Sequence, residues 1–342
     1  MKVFSTRMIR CSVLLMLFCS VTVARPQSAT SRIVSAANTF LSTLDAKQRE
    51  SVLFAFDNAK QRANWSNLPV NFVPRAGLSL KELNPAQRSA AMALVSSALS
   101  QRGFEKVQQI MEGDELTKIK EGNNPIFGKD LYYISILGKP SEKDPWMLQF
   151  GGHHLALNIT IAGERGVLTP TLTGAQPALY TSNGKTVRPL GQESDKALAL
   201  LNALNDDQKK HAILSYHLAD LVLGPGQDGK TIQPEGLKAS AMTDQERAML
   251  LDVISEWASI IDESAAAARM AELKADINET WFAWSGPVTA KPGSSITAYY
   301  RIQGPHLVIE YAPQLLGGDP SLHVHTMYRD PTNDYGRGLT GK

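Results

Sequence analysis

The sequence predicts an α+β fold made by internal duplication, in which helix–helix–antiparallel-sheet units pack as one domain. Three observations lead there: four helix starts of one design, the spacing between them, and two sets of apolar strands that follow at matching distances.

The helix starts come first. Residues 44–49 (LDAKQR), 83–88 (LNPAQR), 204–209 (LNDDQK) and 242–247 (MTDQER) each carry a capping residue, Asp45, Asn84, Asn205 or Thr243, with Gln or Glu three positions on. That pair can satisfy the free amide donors of a helix start from both directions. Pro85 stands at the first helical position, where a missing N–H costs nothing. Apolar residues then recur at helical spacing, as in Val52, Phe56 and Ala59 or Leu250, Val253, Ile254 and Trp257. The first two starts are 39 residues apart and the last two 38.

The strands repeat as well. Residues 149–158 (QFGGHHLALN) lie over 301–310 (RIQGPHLVIE), and 167–177 lie over 321–331, with matched positions 152 to 160 residues apart throughout. A near-constant offset predicts repeat halves at about 40–190 and 195–335, with residues 192–195 as the seam. In this alignment His154 matches His306, whereas His323 and His325 fall on Thr169 and Thr171. Residues 262–275 read as the continuation of a long helix, and 281–285 and 296–303 as strands alternating around aromatic residues. Trp281, Trp284, Tyr299 and Tyr300 suit core packing better than a stacking platform for a sugar. His211 and His217 read as ordinary residues of an amphipathic helix.

Residues 1–24 have Lys2, Arg7 and Arg10, then an apolar run from Cys11 to Val23 and a small residue at Ala24. This is the layout of a secretory signal peptide cleaved after Ala24, leaving residues 25–342 as the domain and placing the product in the periplasm or outside the cell. The run is too short to hold a bilayer, and no second apolar span follows. Phe18 is too bulky for Cys19 to read as a lipid-attachment site. Both cysteines, Cys11 and Cys19, lie in the leader, so the mature chain has neither disulfide nor thiolate chemistry. Losing Lys2, Arg7 and Arg10 brings the 35 basic residues to 32 against 33 acidic ones. A balanced charge argues against nucleic acid or an anionic membrane as partner, and leaves a small-molecule or oligomeric substrate.

The chemistry concentrates in residues 322–334, LHVHTMYRDPTND. Alternation along a strand projects His323 and His325 from one face. Arg329, Asp330, Asn333 and Asp334 follow around Pro331, a turn composition that would rim a pocket beside the imidazoles. On the strand after Gly152, His154 and Asn158 share the polar face and His153 the apolar one. Glu310 shares a face with His306 and Val308, and its burial demands a partner such as Arg301, a histidine or a metal. Tyr299, Arg301 and Gln303 form a polar row beside it.

The sharpest reading is a metal centre, zinc or copper, with His154, His323 and His325 as ligands and Glu310 as ligand or base, since imidazole suits both metals and three protein donors leave a position open. Asp330 and Asp334 would serve catalysis, with Arg301, Gln303, Arg329 and Asn158 binding substrate in a hydrolase-like reaction. The same residues also compose a metal-free acid–base site, with His323 or His325 as base, Asp330 or Asp334 orienting it and Arg301 or Arg329 clamping an anion. A binding protein without catalysis, or histidines that merely hold strands together, completes the set. No Gly-x-Ser-x-Gly elbow supports a serine nucleophile, and residues 224–229 lack the Lys-Ser/Thr ending of a phosphate loop.

Four stretches, residues 146–158 (WMLQFGGHHLALN), 169–177 (TPTLTGAQP), 300–311 (YRIQGPHLVIEY) and 323–334 (HVHTMYRDPTND), together with the helix starts at Gln48, Gln87 and Gln208, resemble the secreted domain-of-unknown-function family numbered 3500. The resemblance spans essentially the whole mature chain. It implies a secreted protein with one family-wide domain, and it implies no reaction and no catalytic residues.

Overall fold

The computed structural model describes residues 27–315 and 318–340; the expected signal peptide lies outside the described residues. The first stretch runs α1 (Ala29–Ser42), α2 (Ala46–Val52), β1 (Leu53–Phe54), α3 (Ala59–Arg62), β2 (Leu78–Ser79), α4 (Pro85–Ser97) and α5 (Gln101–Lys120). Strands β3 (Tyr133–Leu137), β4 (Trp146–Gly152), β5 (Leu155–Ala162), β6 (Arg165–Val167) and β7 (Thr171–Ala175) follow, then the small hairpin β8 (Tyr180–Ser182) and β9 (Lys185–Val187). The order then recurs as α6 (Gly191–Ala203), α7 (Asp206–Ala212), β10 (Leu237–Lys238), α8 (Asp244–Ala258), α9 (Glu263–Ala275), β11 (Trp281–Ser285), β12 (Tyr299–Gly304), β13 (Leu307–Pro313) and β14 (Val324–Arg329), ending in α10 (Arg337–Thr340). The protein is thus of mixed helix and sheet class.

All four helix starts form as the spacing predicts. Asp45 with Gln48, Asn84 with Gln87, Asn205 with Gln208, and Thr243 with Glu246 make both reciprocal hydrogen bonds of a capping box. Other boundaries differ. Residues 192–195 lie inside α6, not in a linker. Asp262 is the cap that opens α9, because the chain breaks from helix after Ala258 to pair Ile261 with Leu99. Helix α7 stops at Ala212, so His217 is on an exposed loop.

The strands join in one sheet ordered β1-β3-β4-β5-β7-β14-β13-β12-β11-β10, with β2 and β6 paired at its sides. Its centre is the antiparallel contact of β7 with β14, where Thr173 faces Thr326 and their hydroxyls are 2.7 Å apart. Counted from that pair, His323 and His325 stand where Pro170 and Leu172 stand on the β7 side, one residue away from the ungapped alignment. A one-residue shift matters because it exchanges the two faces of a strand.

Those faces differ sharply. One carries Phe150, Leu157, Ile159, Ile302, Ile309 and Tyr311 and packs against the helices around Trp257, Leu250 and Leu94 in the main apolar core. Trp284, Tyr300 and Tyr311 stack there in sequence, so these aromatics are core. The other face is covered by two irregular segments, residues 55–77 and 213–236, over a minor apolar cluster of Trp65, Ala156, Leu172 and Met327. Irregular backbone brings N–H and C=O groups that its own segment does not pair, and each must find a partner when buried. The strands meet it with long polar and charged side chains, Gln149, Asn158, Arg301, Gln303, Glu310 and Arg329, which is why it reads as a row of candidate site residues.

Candidate metal centre

Three side chains converge where β5, β7 and β14 meet. His323 precedes β14 in extended conformation, with φ −139 and ψ 117, so alternation does place it beside His325. Their rings are 4.9 Å apart and nearly perpendicular. His154 arrives differently from the sequence expectation. Strand β4 ends at Gly152 and β5 begins at Leu155, so His153 and His154 form the two-residue hairpin turn and not strand positions. His154 has φ 61, a left-handed conformation that costs a non-glycine residue about 1–3 kcal/mol and persists only where neighbours hold it. They do: its N–H donates to the Asn67 carbonyl at 3.2 Å, and its carbonyl accepts from Gly174 N at 2.7 Å.

The three Nε2 atoms face one another. His323 Nε2 lies 3.1 Å from His154 Nε2 and 3.2 Å from His325 Nε2, and the three donor atoms all fall within 4.8 Å. Imidazole nitrogens bound tetrahedrally at 2.0–2.1 Å stand ~3.3 Å from one another, so this spacing is that of a ligand shell. His154, His323 and His325 are 3 %, 6 % and 5 % exposed. Burial first, and then the neighbouring imidazoles, hold His154 well below the ordinary histidine value; burial also lowers His325, partly offset by Asp220. Both are therefore neutral at pH 7, the form that binds metal.

A surrounding layer orients the rings. His153 stacks on His154 with centroids 3.7 Å apart, and its Nδ1 is 2.6 Å from Asp114 Oδ1 on α5. Asp114 is itself fixed by Gly128 N at 2.8 Å, and Tyr132 donates to the His153 carbonyl at 2.9 Å. Nδ1 of His325 is 3.3 Å from Asn67 Nδ2 and 3.8 Å from the carboxylate of Asp220. A proton on that Nδ1 would face Asp220 and leave Nε2 free to ligate, a tautomer that sets the Asn67 amide oxygen against the ring after a half-turn of the amide. Gly174, opposite His325 in register, leaves room for the His154 ring: a Cβ there would stand 3.1 Å from its Cδ2.

The remaining residues singled out from sequence lie away from the triad, most of them on the polar face, and each is engaged. Glu310 accepts from Val222 N at 2.7 Å, Leu223 N at 2.8 Å and Tyr299 Oη at 2.7 Å, so backbone donors supply the partners its burial demanded. Arg301 pairs with Glu235 at 2.8 Å, and Gln303 donates to the Ile232 carbonyl at 2.6 Å. Asn158 links Gln149 to the Pro170 carbonyl. Arg329 binds the Leu223 and Gly224 carbonyls, Asp228 and Asp334, at the far end of β14 from His323. Asp330 pairs with Arg269 at 2.9 Å on the helix side of the sheet. His306, the positional match of His154, is exposed and bonded to Thr332.

Asn67, Asp114 and Asp220 escaped the sequence reading. Asp114 alone had a signal, a carboxylate on the apolar stripe of Val107, Ile110 and Met111, where burial requires a partner. Asn67 and Asp220 come from irregular segments with no periodicity to flag them.

Against known proteins, the family described as "Protein of unknown function (DUF3500)" matches residues 26–337. No curated protein and no solved structure matches the chain.

Proposed function

The chain belongs to the DUF3500 family, and we propose that it is an exported metal-dependent protein in which His154, His323 and His325 hold one zinc or copper ion, with metal-assisted hydrolysis as its activity. The observation that carries the reading is the convergence of three imidazole Nε2 atoms, at 3.1 and 3.2 Å, from two distant parts of the chain. Three ring nitrogens aimed at one point form a donor set of the kind that holds a cation. A cation at their centre satisfies all three. A three-histidine shell leaves a position beyond the protein donors, where a zinc ion would act as Lewis acid and lower the pKa of water. The absence of cysteine from residues 25–342 removes thiolate competition for the ion.

A second reading, carriage of the ion without catalysis, is favoured by the burial of the triad and by the carboxylates. Glu310, Asp330 and Asp334 are all tied to protein partners, which leaves Asp220, exposed beside His325, as the nearby acid that could take a proton. Export rests on the pattern of residues 1–24. The recurrence of element order about the Thr173–Thr326 pair supports origin by duplication, with the metal centre built across the join from one turn of the first half and one strand of the second.

Elemental analysis of untagged mature protein tests the site, beside a His323→Ala, His325→Ala variant shown folded by circular dichroism. One equivalent of zinc or copper in the parent and none in the variant is the expected result. Failure to retain metal after adding it back refutes the centre. Metal-dependent turnover of an ester and phosphoester panel then separates hydrolase from carrier.

A further inference from the structure

A cavity of about 190 Å³ lies on the helix side of the sheet, between α9, β6 and α10. Its walls are Val167, Leu168, Ile261, Ala265, Ala268 and Leu339, and Tyr328 and Thr169 line it as well. Tyr328 belongs to the sheet face opposite the imidazoles, so the cavity is separate from the metal centre.

Comparing α5 with α9 shows why the helix wall of this space is apolar. Counted from the caps Ser100 and Asp262, Arg102 and Lys106 of α5 correspond to Ser264 and Ala268 of α9. Lys106 runs into the protein to meet Glu193 and the Glu256 carbonyl, and Arg102 pairs with Glu256. The α5 positions line a hollow of about 180 Å³ with two long cations and the carboxylates of Glu193 and Glu256, whereas α9 presents a hydroxymethyl and a methyl group.

The inner cation of the cavity, Arg269, is already neutralised, while Glu164 and Arg165 stand exposed at its edge. Arg269 gives Nε to Tyr328 Oη at 3.1 Å, and its remaining donors go to Asp330 at 2.9 Å, Glu272 at 3.1 Å and the His306 carbonyl. Beside Arg269, Glu272 and Asp330 an ionic ligand would meet groups that are already paired. Thr169 is different: it is 2 % exposed and its Oγ1 has no hydrogen-bond partner. A buried hydroxyl in that state wants a donor or acceptor.

We propose that this cavity binds a small neutral molecule with an apolar body and one hydroxyl, of the class of monocyclic aromatic alcohols, the ring lying against Ile261, Ala265 and Val167 and the hydroxyl paired with Thr169. The size suits it, since aliphatic cavities of about 150 Å³ admit a benzene ring. The proposal does not depend on the metal.

Titration of the full mature protein with benzyl alcohol and with toluene, followed by ligand-observed NMR, tests it. Saturable binding of benzyl alcohol to the parent is expected. Ala268→Leu fills the hollow from a solvent-facing helix position and should weaken both probes about tenfold or more. Thr169→Val keeps the shape and removes the hydroxyl, so it should weaken benzyl alcohol about tenfold and leave toluene unchanged. The His323→Ala, His325→Ala variant should bind benzyl alcohol like the parent, whatever becomes of its metal. No saturable binding to the parent, or equal binding to Ala268→Leu, overturns the site and makes the space a water-filled hollow. Equal losses of both probes in Thr169→Val overturn the pairing with the hydroxyl.

Discussion

His154 Nε2 and His323 Nε2 lie 3.1 Å apart across 169 residues of chain, one in a hairpin turn and the other at the entry to the central strand of the sheet. That single distance joins the two halves of the molecule at its most chemically distinctive point. It also makes the site sensitive to groups beyond the three rings.

His153 and Asp114 are expected to act as positioning residues. Asp114→Asn or His153→Phe loosens the ring that His154 stacks upon, and metal affinity should fall about 10–100-fold with stoichiometry still near one. Competition with a chromophoric chelator measures it; unchanged affinity in both variants would remove them from the site.

Gly174→Ala should damage fold and site together. Its Cβ would stand 2.9 Å from the Val324 carbonyl oxygen and 3.1 and 3.2 Å from two atoms of His154. Overpacking of this kind costs about 1–3 kcal/mol. A lower urea midpoint with weaker metal binding is expected, and wild-type behaviour in both would refute the close approach.

Glu310 separates anchoring from catalysis. Glu310→Ala strips the acceptor from Val222 N, Leu223 N and the Tyr299 hydroxyl, and leaving buried donors unpaired costs about 1–3 kcal/mol for each that stays dry. Stability should drop while metal content stays. A variant with full stability but no turnover would instead make Glu310 the base proposed from the sequence.

The metal-free protein should lose stability as pH falls below the ordinary histidine value of 6.5. His154 and His325 have folded values below it, so in that window the unfolded chain binds more protons than the native one and stability rises with pH. Denaturant midpoints of chelator-treated protein between pH 7 and 5 should show the decline. His154→Asn, whose side chain tolerates the left-handed turn, should flatten it. A pH-independent midpoint would contradict the neutral, buried imidazoles.

Much of this was legible in the chain. Capping boxes are local, with donor and acceptor three residues apart, so all four were readable before any fold was known. His323 and His325 were equally local, because alternation alone puts them on one face. His154 was grouped with them from a strand argument and does lie beside them, yet it stands in a turn, and its aim comes from the left-handed backbone held by Asn67 and Gly174.

The polar residues on the strands show the limit of such reading. A buried charge on a strand announces a partner without naming it. Glu310 looked like a ligand or base, and its partners are two amide groups of a segment nearly ninety residues upstream. Arg329 looked like a substrate clamp, and it holds the carbonyls of that same segment. By itself the sequence determined the helices, the strand faces, the class of fold and the two neighbouring imidazoles, all set by interactions within a few residues. The tertiary structure decided which third histidine joins them, which carboxylate steadies each ring and which charges are spent on loop backbone. Those depend on contacts between segments far apart in the chain, and such contacts leave no periodic trace.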